Sequence, residues 1–194
     1  METVVLEKKK GKKSQAGRRM SLARYQEWVK EQEDGYKYEW NNGVIEKSEY
    51  TMRNTERKIV KKLSRTFIKT KAYAQGGELM AETECLLPSN SIRIPDLAFF
   101  TEAQIDASAV GEQPIPSWAI EIISKNDNAN KVKNKLNEYF EAGVQVVWHV
   151  YPSLEIVEIY TSLKDVTICT DQDPCTAAPA LDDFTMTVEE IFAK

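Results

Sequence analysis

Histidine occurs once in the 194 residues, at His149, and cysteine three times, at Cys85, Cys169 and Cys175. A single histidine excludes His-rich zinc chemistry and argues against a Ser-His-Asp triad. Within the run VVWHVYP it reads as a structural strand residue. The cysteines form an odd set without metal-site spacing, so no disulfide framework is expected, and Cys85 reads as a small core residue. Missing too are a Gly-rich phosphate loop, a G-x-G-x-x-G turn and a Walker sequence. The acids of DQDPCTAAPALDD, residues 171–183, lack calcium-loop spacing and read as a solvated loop. No apolar run approaches the roughly 20 residues of a membrane span. The opening METVVLEKKKGKK lacks the apolar core of a signal peptide, so a cytoplasmic location is expected.

Hydrophobic residues make up 42% and charged residues 29%, a soluble, globular balance. The length fits one domain with a real core, over residues 21–194, behind a basic and flexible tail at 1–20. That tail holds seven Lys/Arg against Glu2 and Glu7, a net +5, which leaves −9 on the rest of a chain whose total is −4. An acidic body does not suit tight, non-specific DNA binding; the tail could supply that, or serve only as a solubilising leader.

Periodicity then gives the elements. Ser21 is an N-cap for a helix with Leu22, Tyr25, Trp28 and Val29 along one face. YKYEW, Asn41-Asn42-Gly43 and VIEKSEY form a β-hairpin. A helix from Asn54 to about Lys69 buries Ile59, Val60, Leu63 and Phe67, with Glu56 on the inward face one turn from its start. A carboxylate there either answers the helix dipole or serves as a third acid over a site. Leu79 to Leu87 reads as one strand, and Ile92 to Phe100 as the next. Glu102 to Ser117 is a surface loop with room for a short helix. SWAIEIIS is a strand, and the segment from Asn130 is a helix capped near Asp127 or Asn128 and closed by Gly143. Val144 to Tyr151 and Leu154 to Thr161 pair as strands. Val166 to Thr170 adds a short one, Asp171 to Leu181 is a loop, and Thr187 to Ala193 ends the chain as a helix. Trp40, Trp118 and Trp148 read as core.

Two apolar strands each carry one carboxylate in mid-run, Asp96 and Glu121. Burying an ionised carboxylate without a partner costs several kcal/mol or more, so each should have a counter-charge or a metal. A divalent cation shared by both would relieve repulsion and desolvation together, and Mg²⁺ (or Mn²⁺) suits such an oxygen-rich site. Such an ion polarises a phosphate and activates water. On the following helix Lys135 lies one residue off the buried stripe of Val132, Leu136, Tyr139 and Phe140, so its stem packs while its ammonium reaches a pocket. Lys131 and Lys125 lie further out, and Lys133 points away.

Pro95-Asp96, Glu121 in AIEIIS and Lys135 in KLNEYFEAGVQVVWHVYP together resemble the PD-(D/E)xK nuclease signature. More narrowly they resemble the Uma-two family of restriction-endonuclease-like proteins, whose opening hairpin is similar to YEWNNGVIEKS. The resemblance spans about Ser21 to Tyr160. It implies an α/β (α+β) restriction-endonuclease-like fold, a central mixed β-sheet flanked by helices. It also implies Mg²⁺ dependence and DNA cleavage. Carried over residue by residue, Asp96, Glu121 and the carbonyl of Ile122 become metal ligands, and Lys135 stands in for the motif lysine. Two positions depart from the pattern: Ile123 occupies the usual lysine position, and Glu56 replaces a histidine. The resulting reading is a Mg²⁺-dependent endodeoxyribonuclease, expected as a homodimer, with Asp96, Glu121, Lys135 and Glu56 as its catalytic set. The alternative is a homologue that keeps the fold to bind DNA or protein without turnover.

Overall fold

The computed structural model describes residues 19–49 and 54–193. The basic stretch at 1–20 therefore lies outside the described residues except for its last two. Ser21 accepts from the Arg24 N–H and opens α1 (Leu22–Val29) as expected. Strands β1 (Tyr36–Asn41) and β2 (Val44–Glu49) form the hairpin. Its turn residues Asn42 and Gly43 have φ of 46° and 91°, the positive pair that tight hairpins require. Helix α2 (Asn54–Phe67) buries Ile59, Leu63 and Phe67. A single turn that periodicity did not show, α3 (Lys71–Ala74), follows under a Thr70 cap.

The segments Leu79–Leu87 and Ile92–Phe100, each expected as one strand, are each two. They form β3 (Glu78–Ala81), β4 (Cys85–Leu87), β5 (Ser91–Arg93) and β6 (Leu97–Phe100). β3 pairs with β6 and β4 with β5, so the ribbon divides between two sheets. Both breaks fall side by side. Glu82 turns to a φ of 50°, and its N–H reaches the Asp96 carbonyl at 3.3 Å. Pro95 opposite has no N–H to give a ladder. Asp96 is consequently not a mid-strand residue; it stands at the corner between the sheets.

Helix α4 (Glu102–Ala109) occupies part of the expected loop, held by a Thr101/Gln104 capping box. β7 (Trp118–Ile122) leads through α5 (Ala129–Ala142) to β8 (Val146–Tyr151). Asn128 caps α5, and Gly143 closes it at a φ of 97°. β9 (Ile156–Tyr160) and β10 (Val166–Cys169) follow as expected. The loop expected over Asp171–Leu181 contains β11 (Pro174–Ala177), paired with β12 (Leu181–Thr187). α6 (Val188–Phe192) begins at a Thr187 cap.

The result is the expected mixed sheet flanked by helices. Six strands run in the order β10-β9-β8-β7-β6-β3, with β7 and β8 parallel and the other neighbours antiparallel. α5 is the crossover that a parallel pair needs. Alternation along β7 sends Trp118, Ile120 and Ile122 to one face, where α2, β11, β12 and α6 cover them. Ala119 faces the other way, against Leu136 and Tyr139 of α5. The hairpin belongs to a second sheet, β2-β1-β5-β4, with its own core of Tyr25, Tyr38, Trp40, Ile45 and Ile92.

Trp118, Trp148 and Phe184 form an aromatic cluster with ring centroids 4.7–5.8 Å apart, and all three are fully buried. Phe184→Ala leaves a cavity there, and truncating a buried Phe costs about 3–5 kcal/mol. In a chain of this size the thermal midpoint should fall on the order of 10 °C. A calorimetric melt checks this, and a shift under about 3 °C would mean β12 is not part of the cooperative core.

Candidate active site

The sheet corner, the C-terminal end of β7 and the start of α5 enclose a cavity of about 460 Å³. Asp96, Glu121, Ile122, Lys135 and Glu56 all line it, together with Lys37 and Glu39 from β1. Seven carboxylates and four lysines line it, so its charge balance favours a cation.

Asp96 is fixed from two sides. Its Oδ2 accepts the Ile122 N–H at 2.6 Å, and its Oδ1 lies 3.2 Å from the Lys37 ammonium. Glu121, in the middle of β7 on the α5 face, accepts from the Tyr139 hydroxyl at 2.6 Å and from Lys135 Nζ at 3.3 and 3.4 Å. Lys135 also lies 2.9 Å from Glu39 Oε1, so one ammonium bridges two acids. Glu39 Oε1 takes the Ile94 N–H at 2.8 Å as well. Behind it, fully buried Arg93 forms a fork onto Glu138 at 2.7 and 2.8 Å and reaches Glu39 and Glu46 at 3.4 and 3.5 Å. Glu56 lines the cavity from the first turn of α2.

Titration follows from this geometry. Burial raises the Glu121 carboxyl above its ordinary range, with Asp96 adding repulsion that Lys135 and Lys37 only partly offset. Glu39 is as buried, but Lys135 and Arg93 overcome its desolvation and hold it below the ordinary range. Burial opposes the charge on Lys135, yet Glu121 and Glu39 outweigh it and raise its pKa. Lys135 is thus a fixed positive charge rather than a base. Lys37 is raised similarly, by Asp96 and Glu121 against burial.

Among the described residues no three His, Cys, Asp or Glu side chains form a metal cluster by themselves. The carboxylates of Asp96 and Glu121 offer oxygen donors of the kind a small hard cation accepts. The residues fit such an ion: burial and the nearby Asp96 both disfavour charge on Glu121, and a cation held between the two acids would relieve that.

Sequence reasoning missed Lys37, Glu39, Arg93 and Glu138. It placed Tyr139 on the buried stripe without its bond to Glu121. A signal was present in YKYEW, where alternation sets Lys37 and Glu39 on the face opposite Tyr38 and Trp40. The residues set aside behave as expected. Lys131 is exposed and pairs with Glu46 at 3.4 Å, and Lys133 lies over the Tyr160 ring. His149 is buried, and desolvation lowers its pKa. Burial pushes the Cys85 thiol up to about 12, so it is no nucleophile.

A family profile described as "Putative restriction endonuclease" matches residues 22–189. The chain belongs to the Uma2 (Uma-two) family. A solved structure from Anabaena variabilis ATCC 29413, described as "a putative nuclease belonging to DUF820", superposes with a TM-score of 0.72 at 17% identity. The match covers 86% of this chain and 96% of that one, so the two share a fold. No curated protein matches. No helix among the described residues is long and apolar enough to cross a membrane.

The opposite shifts of the two buried glutamates separate their roles. Glu39, lowered, contributes stability above the ordinary carboxylate range and loses it as pH falls through its depressed value. Glu121, raised, contributes stability below that range and loses it as pH rises through its elevated value. Glu39→Gln should therefore cost about 3 kcal/mol near neutrality, the scale of a broken buried pair, and less in acid. Glu121→Gln should gain on wild type as pH rises. Chemical denaturation across roughly pH 4 to 8 measures both, spanning the ordinary carboxylate range and neutrality; parallel profiles would refute the assignment.

Proposed function

We propose that this Uma2 protein is a Mg²⁺-dependent endodeoxyribonuclease that hydrolyses DNA phosphodiester bonds at the cavity of Asp96, Glu121 and Lys135. The observation that carries the reading is the convergence of these three side chains, far apart in sequence, on one cavity. Asp96, Glu121 and the Ile122 carbonyl would hold the ion, with Mn²⁺ as a substitute. When bound, the cation supplies Lewis acidity toward a phosphate oxygen and acidifies water.

The chain's own groups do the rest. The Ile122 N–H and Lys37 keep Asp96 in one orientation, and the Tyr139 hydroxyl does the same for Glu121. Lys135, held charged between two acids, places positive potential where charge develops at phosphorus. Its position on α5 substitutes for the lysine that the motif carries where Ile123 stands. Glu56, on the cavity wall, serves as an auxiliary acid. One site per chain cuts one strand, so a symmetric homodimer would serve both strands of a duplex. The expected setting is the cytoplasm.

Asp96→Ala and Glu121→Ala should each abolish Mg²⁺-dependent nicking of plasmid DNA while the melting transition survives. Lys135→Ala should retain metal binding by calorimetry and lose about 10²–10³ in rate, the usual loss for one charge-stabilising donor. Full activity in both acid variants would remove the proposal. The second reading, a binding homologue without turnover, is favoured by Ile123 at the motif position. It predicts no heat of Mg²⁺ or Mn²⁺ binding that depends on Glu121.

A further inference from the structure

The cleft that is read as the cutting site is poorly suited to attract DNA, because its lining carries more acids than lysines. The charge that DNA needs lies next to it. Helix α2 holds Arg57, Lys58, Lys61, Lys62 and Arg65 against one acid, Glu56. At about 100° per residue, Ile59, Leu63 and Phe67 point into the core and the five cations fan over the opposite half. Arg57, Lys58, Lys61 and Arg65 are exposed, and exposed Lys69 and Lys71 extend the run beyond the helix. Among the described residues none of the four helical side chains forms an ion pair with a carboxylate. Lys62 is the exception in use: it donates to the Ile191 and Ala193 carbonyls at α6.

Like charges at i and i+4 destabilise a helix, and this one repeats them at Arg57, Lys61 and Arg65 and at Lys58 and Lys62. The crowding registers at Lys62, whose pKa is lowered by burial and then by Lys58. A surface ordered this way, on a body that is acidic elsewhere, complements a polyanion. The first turn of α2 adjoins the cavity, where Glu56, on the inward face, forms part of the lining. The 14 residues of the helix span about 21 Å, long enough to lie along a few successive phosphates of one strand.

Building on the nuclease reading, we propose that the outer face of α2 is the track for the phosphate backbone of duplex DNA. It holds the duplex without reading its sequence and presents one phosphate to the cleft at the helix start. The basic leader is common to every variant below, so differences between variants report on α2.

The test uses the full chain in EDTA and a labelled duplex of about 20 base pairs, longer than the track itself. Fluorescence anisotropy is read at several salt concentrations. Arg57→Glu/Lys61→Glu/Arg65→Glu should bind at least tenfold more weakly at about 100 mM salt, and its log K against log salt slope should fall by about 2–3, at about 0.9 per lost phosphate contact. Lys30→Glu/Lys133→Glu/Lys164→Glu, with the same charge change on exposed sites elsewhere, should keep the wild-type slope. The neutral triple Arg57→Gln/Lys61→Gln/Arg65→Gln should show the same loss in milder form, which separates contact from misfolding. Equal weakening by both reversal sets, an unchanged slope in the α2 set, or tenfold preference for single-stranded RNA would overturn the track. The nuclease reading fails separately. If wild type cleaves and the α2 set binds normally, only the track is wrong; if the α2 set loses binding and wild type never cleaves, the track stands and the nuclease falls.

Discussion

Lys135 stands between Glu39 at 2.9 Å and Glu121 at 3.3 Å, all three largely withdrawn from water. Taking charges out of water costs several kcal/mol per ion unless partners are well placed, and removing one partner of such a set is more damaging than never having had it. The three residues come from the hairpin sheet, the main sheet and the crossover helix. None of these elements can shift without uncovering a buried charge. Arg93 repeats the arrangement at the far end, forked onto Glu138 of α5 while touching Glu39 and Glu46 of the hairpin. The hairpin is thereby pinned over α5 by ion pairs, while its own small core holds α1. Because each charge faces an opposite one, the pairs specify orientation even where they contribute little net stability.

The corner at Ile94-Pro95-Asp96 supplies what the ion pairs alone could not. Had Ile92 to Phe100 continued as one strand, Asp96 would be one carboxylate among ladder residues, with its position set by strand register. Pro95 withholds a ladder hydrogen bond, Glu82 turns away opposite, and the two halves join different sheets. The freed Asp96 then takes the Ile122 N–H at the end of β7. A break in pairing thus becomes the contact that brings the first acid to the second.

Glu121 and Lys135 were legible because both signals are local. Alternation over five residues sets the face of a strand, and a helical wheel sets the edge of a stripe. Asp96 was legible as an acid in an apolar run, but its place was not, since strand periodicity continues through Pro95 as though nothing ended there. Lys37 and Glu39 were illegible for another reason: their partners lie 59 and 55 residues away in sequence, at Asp96 and at the Ile94 amide. No window sees such a pair. β11 failed similarly. Pro174 at its start and the polar run around it carry the marks of a loop, and only pairing with β12 makes it a strand. The Ser21 and Gly143 caps and the Asn42-Gly43 turn, by contrast, were readable, because these residues act on their immediate neighbours.

The charge layout gives the proposed activity an order of events. An acid-rich cleft repels phosphate, and a basic helix beside it attracts phosphate, so a duplex held only by α2 would have its nearest phosphate pushed from the cutting position. A divalent cation in the cleft would offset most of that excess negative charge and weaken the repulsion. If the cation strengthens DNA binding by this means, linkage requires DNA to strengthen cation binding by the same factor. Under the proposed activity, metal and substrate would then assemble together more readily than either alone, and hydrolysis would be confined to molecules carrying both. A cleft built with excess lysine would bind DNA without metal and hold it unproductively. On the proposed function, the surplus of carboxylates, unfavourable for a DNA enzyme when judged by net charge, is what would couple binding to chemistry.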